Sequence, residues 1–250
     1  MSKFTPLYVV LAIVGIASAF VPQIPYLNGV VAALPLVLAF FFFAVTQRQS
    51  VERARLGGLR LLTSTALLVC GIAALGSSVD IAQKGLYFLA MVIFAMAFGR
   101  SSNFKNERPY LAENLGILLL VPFLFLGMHA MLIRTLGFVN FPVMACEVGC
   151  IVIIFAALNR KYNVKDASFN TVLQGTFLLV LSFIVYAFKN YSFINSEDYQ
   201  SYFVYFEAGY FLCYALGLYL ITRGILMQID AELPDEDEIT FLDVEQKTGF

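Results

Sequence analysis

The chain has 250 residues, of which 60% are hydrophobic and only 13% charged. A soluble domain would be roughly 45–50% apolar and about 25% charged, so a soluble globular domain and a disordered chain are both excluded. Sixteen basic and seventeen acidic residues nearly cancel, and no basic stretch interleaved with aromatics is present, which sets nucleic acid aside as a partner.

A hydrocarbon core about 30 Å thick needs roughly 20 apolar residues per helix. The apolar runs predict an all-α, polytopic membrane protein of eight helices. In chain order they cover Phe4–Val21, Tyr26–Thr46, Gly58–Ser77, Gly85–Gly99, Leu115–Leu136, Val139–Leu158, Phe169–Phe188 and Tyr202–Thr222. A barrel would instead show alternating segments of about ten residues, and none is present. The fourth run is short for a span; it either begins nearer Ile81 or tilts and thins the bilayer. At the first, Lys3, the run Leu7–Ile16 and Ala17-Ser18-Ala19 imitate a secretory signal. Its cleavage would leave seven helices, and the reading taken here retains it.

Loop charge sets the orientation. Connections after even-numbered helices carry Arg48, Arg53 and Arg55, then Arg100, Lys105 and Arg108, then Arg160, Lys161 and Lys165, then Arg223. The odd connections carry only Lys84, Arg134 and Lys189. The positive-inside rule then puts both termini in the cytoplasm, with a bacterial inner membrane as the expected location. This divides the chain into a transmembrane domain, residues 1–224, and an acidic cytoplasmic tail, residues 225–250. From Asp230 to Phe250 the chain holds eight acidic residues. This stretch reads first as a solvated segment. Ile239, Phe241, Leu242 and Val244 among the acids also allow it to dock on a protein partner, as a lipid-facing helix would.

An ionisable group at the bilayer centre costs about 3 kcal/mol on insertion scales, so such residues are functional candidates. They are His129 in the fifth helix, Glu147 in the sixth, Glu207 in the eighth, and Asp80 at the outer end of the third. Asp80, His129 and Glu207 would lie toward the outer side and Glu147 near the middle, so all four would face a cavity opening away from the cytoplasm if they share a face of the bundle. A carboxyl taken out of water holds its proton and can serve as a general acid. A second carboxylate can stabilise developing positive charge, and a histidine titrates in the useful range. Each also has a plainer explanation: a protonated glutamic acid bonding a neighbouring helix, an interfacial histidine, a loop aspartate.

In the last helix, Phe203, Glu207, Tyr210 and Tyr214 share a stripe at three- and four-residue spacing. An aromatic wall with one acid suits a lipid chain and its polar end; an interfacial aromatic belt would look the same. Cys146 and Cys150 share a helical face beside Glu147. Ala145 and Gly149 make that face a close-packing surface rather than a metal site, and no metal or cofactor is expected. The four cysteines all lie in apolar runs, so no disulfide framework is read.

Several stretches carry a family likeness. Leu34-Pro35-Leu36, Gly85-Leu86-Tyr87-Phe88-Leu89, Leu158-Asn159-Arg160, Gly175–Ser182 and Tyr205–Leu212 resemble the helix-two, -four, -six, -seven and -eight motifs of the YhhN family, which includes the lysoplasmalogenase transmembrane protein 86. The resemblance spans roughly residues 5–224. It implies an integral membrane hydrolase that cleaves the vinyl-ether bond of lysoplasmalogens. The departures fall on the chemistry. Leu34 stands where the family has lysine, Gly76-Ser77 where it has Gly-Asp, Met91 where it has histidine, and Ser182-Phe183 where it has Ser-Asp. Catalysis would then be rebuilt from Glu147, Glu207 or Asp80, with His129, and a lysolipid or similar amphiphile would lie against Phe203, Tyr210 and Tyr214. The competing class is a non-catalytic subunit of a larger membrane complex. A proton-coupled carrier is a third, and it lacks the paired Gly/Pro-broken helices expected of one.

Overall fold

Residues 5–20, 27–48, 54–75, 80–101, 115–136, 141–191 and 197–232 are described by the structure, a computed structural model. Each apolar run becomes a helix, because a helix satisfies its backbone polar groups internally. The helices are α1 (Thr5–Ala19), α2 (Leu27–Arg48), α3 (Ala54–Leu75), α4 (Asp80–Ser101), α5 (Leu115–Leu136), α6 (Phe141–Leu158), α7 (Asp166–Tyr191) and α8 (Glu197–Glu232). Among the described residues there is no strand. Five helices, α3, α4, α6, α7 and α8, are long and apolar enough to cross a membrane. Length and composition thus describe a multi-pass membrane protein.

Several helix boundaries differ from the sequence reading, two of them with consequences for the site and the core. Asp80 opens α4 instead of closing α3, which gives α4 its full 22 residues. The helix predicted to stop at Thr222 continues for ten residues to Glu232. Its extension is core: Ile225, Leu226 and Ile229 are all buried. The acidic segment beyond Glu232 lies outside the described residues, as do Gly76, Ser77, Lys105 and Arg108.

The last helix organises the bundle. It contacts α1, α2, α3 and α7, while α2–α3, α3–α4, α4–α6 and α6–α7 complete the packing around it. Its tightest partner is α7. A Cβ on Gly175 would stand 2.7 Å from the Ile221 nitrogen, and one on Gly217 2.7 Å from the Leu179 nitrogen. Backbone meets backbone here because the side chain is missing on both sides, the close approach small residues give membrane helices. About two turns further on, Gly224 meets Val172, and the Ser168 hydroxyl donates to the Gly224 carbonyl at 2.7 Å.

Several hydroxyls within the helices are satisfied by their own backbone. The hydroxyls of Thr46, Thr176 and Thr222 each donate to the carbonyl four residues back, at 2.7–2.8 Å, as expected where no water competes. The Tyr8 hydroxyl instead crosses to the Ala215 carbonyl at 2.7 Å, and its ring stacks on Tyr219. Arg160, counted above among loop cations, is fully buried at 0% exposure. Its Nη2 donates to Ser168 Oγ at 3.2 Å and Gln228 Oε1 at 2.8 Å, and its guanidinium lies over the Phe98 ring. One side chain thereby ties α4, α7 and α8 at the end of the bundle opposite the site described next.

Candidate functional site

The site lies where α4, α6 and α8 begin and α5 and α7 end. His129 is the fifteenth residue of α5, and Glu147 is the seventh of α6, so each sits about two to four turns inside its helix. The helices run antiparallel, which brings the two side chains level. His129 Nδ1 lies 3.0 Å from Glu147 Oε2 and 3.2 Å from Oε1. Nδ1 and the carboxyl group share one hydrogen bond across both oxygens, the imidazole N–H donating when Glu147 is ionised and the carboxyl O–H donating when it is protonated. Both side chains are about nine-tenths covered. Two residues singled out separately by their cost in the membrane thus converge.

Beside this pair is a partly open cavity of about 50 Å³. Its wall is mostly hydrocarbon and aromatic: Phe125 and Met128 from α5, Tyr87 from α4, Phe183 and Tyr186 from α7, Tyr210 from α8. Glu147 and Lys84 are its charged members. A largely apolar pocket with a few convergent polar groups is the usual form of a small-molecule site. Behind the wall, Tyr214 is buried and stacks on Tyr210 at 5.9 Å, and its ring meets Tyr87 edge-on at 6.3 Å.

The other sequence candidates divide. Tyr210 lines the cavity; Tyr214 supports it from behind. Glu207, half-buried one turn before Tyr210 on α8, is outside the lining. Asp80 is placed at the first turn of α4, and its side chain, like that of Phe203, lies outside the described residues. Cys146 and Cys150 both line the cavity, where the Cys146 thiol donates to the Lys84 carbonyl and the Cys150 thiol approaches Met91 Sδ. Among the described residues no three His, Cys, Asp or Glu side chains converge as metal ligands. Gly149 packs on Phe88 and Met91, as the small-residue face of α6 required.

Sequence reasoning missed Lys84, which it assigned to a loop. The lysine is 6% exposed and sits within α4. A signal was present: Lys84, Tyr87, Met91, Phe94 and Phe98 recur at helical spacing, and all five are buried. Tyr186 and Phe183 were also passed over, because their run on α7 is apolar all round and shows no face. Comparison of the chain with known protein families, with curated proteins and with solved structures finds no match.

Proposed function

We propose that this chain is an eight-span inner-membrane protein, both termini cytoplasmic, that holds a lysolipid or similar single-chain amphiphile in the α4–α8 cavity and hydrolyses a vinyl-ether bond there. The observation that carries the reading is the His129–Glu147 pair at the rim of an otherwise apolar, aromatic-walled cavity. The hydrocarbon chain lies against Phe125, Met128 and Phe183, and the polar end lies near Glu147 and Lys84.

The chemistry asks for one proton donor and water. Glu147, in its protonated form, gives its proton to the vinyl carbon remote from the ether oxygen. The resulting oxocarbenium ion is stabilised by the carboxylate left behind. Water adds to the other vinyl carbon, the one bonded to the ether oxygen, the proton it releases returns to the Glu147–His129 pair, and the hemiacetal collapses to a fatty aldehyde and an alcohol. His129 orients the carboxyl group and accepts the proton between steps. Glu207 has no part in this version, since it lies outside the lining.

A non-catalytic membrane subunit is the second reading. Leu34 and Met91, which stand where the YhhN resemblance expects lysine and histidine, are packed into the core at 2% exposure each. Those positions have been given over to packing. Aldehyde release from lysoplasmalogen by the purified chain separates the two. Turnover that is lost in Glu147→Gln and kept in Glu207→Gln supports the hydrolase. A folded, monodisperse wild type without turnover supports the subunit.

A further inference from the structure

The cavity's walls are not alike. α4, α6, α7 and α8 follow one another through the pairs α4–α6, α6–α7 and α7–α8, and α4 and α8 are anchored on α3, whereas among the described residues α5 contacts only α6 and α7, and sparsely. The inward stripe of α5 is narrow. Phe125 and His129 are buried and Met128 is half-buried, while Phe123 at 72% and Leu126 at 66% stand fully outside, with Leu119, Leu120 and Leu124 beside them. Both Phe125 and Met128 line the cavity. So the partition between cavity and surroundings is one helix thick, apolar on both faces, and pinned near its end by His129 on Glu147.

We infer that α5 is a lateral door: an amphiphile dissolved in the bilayer enters the cavity sideways, past α5, with the His129–Glu147 contact as the latch. This rests on the reading of the cavity as an amphiphile site and is independent of the hydrolysis. It narrows the ligand class to molecules that partition into the membrane. An apolar chain moving from bilayer to cavity passes only apolar surface, so it is never exposed to water, whereas a route from the aqueous side would strip the chain's path of that match. The displaced partner of α5 is lipid on its far face, which costs little because lipid tails and leucine side chains are equally apolar.

The chain has no tryptophan, so one introduced residue reports alone. Tyr87→Trp places the reporter in the cavity wall remote from α5, with Phe183→Trp as a second should the first not fold. Phe94→Trp, in the closed core, is the control. Each full-length variant goes into bilayers doped with a lysophosphatidylcholine carrying a brominated acyl chain. The expected result is loss of Tyr87→Trp emission with Phe94→Trp unaffected, and a further loss when His129→Ala is added. Quenching that His129→Ala does not alter overturns the door and leaves the amphiphile site standing. Quenching of cavity and control reporters to the same extent overturns both. Quenching by aqueous iodide but not by brominated lipid shows a cavity open to water and overturns the lateral route.

Discussion

The α7–α8 seam and helix α5 are built from the same apolar alphabet and hold on by opposite means. At the seam, Gly175, Gly217 and Gly224 let two backbones touch, so any added carbon collides with main-chain atoms that cannot rotate away. Along α5, Gly116 and Gly127 meet nothing within 4 Å, and attachment relies on a few inward side chains and one polar contact. The lesson is that hydrophobicity does not set how firmly a membrane helix is held. The shape of the facing surface does, because lipid competes equally for any apolar face.

That contrast can be broken from its rigid side first. Gly217→Leu should abolish a monodisperse, folded product, since overpacking against fixed backbone costs about 3 kcal/mol or more; size-exclusion chromatography in detergent reads this directly. Gly127→Leu, the matched change on α5, should elute as wild type. Arg160→Ala comes next. It removes the donor shared by Ser168 and Gln228 and should lower stability by about 2–3 kcal/mol, seen as a fall in the thermal midpoint. On the α5 side, His129→Ala should cost only about 1–2 kcal/mol globally, yet speed amide hydrogen exchange in α5 while leaving α7 and α8 protected. A uniform rise in exchange would mean that α5 is as integral as the seam. Smallest of all, Phe123→Ala on the bare face should change stability by no more than about 0.5 kcal/mol.

Helix positions were legible because a bilayer accepts little else than a run of about twenty apolar residues. The errors came from reading charge as an end. Lys84 and Asp80 made α4 look short, and Arg223 made α8 look finished, although Gly224, Ile225 and Ile229 keep the buried spacing beyond it. At the site, His129 and Glu147 stood out by the cost of placing them in hydrocarbon. Their pairing did not, because it depends on the crossing of α5 and α6, which one sequence does not specify. Glu207 carried the same signal and lies outside the cavity lining. Cost alone marks a residue; only geometry gives it neighbours.

Arg160 also says something about biogenesis. Its acceptors come from α7 and, through Gln228, from α8, the last helix to leave the ribosome in the order of the chain. A nascent chain in which α8 has not yet docked has a guanidinium without its Gln228 acceptor, and burying a charge that lacks its partner is costly. Docking of α8 supplies Gln228 to Arg160 and the Gly224 carbonyl to the Ser168 hydroxyl together. Burial of the turn after α6 is thereby coupled to the docking of α8.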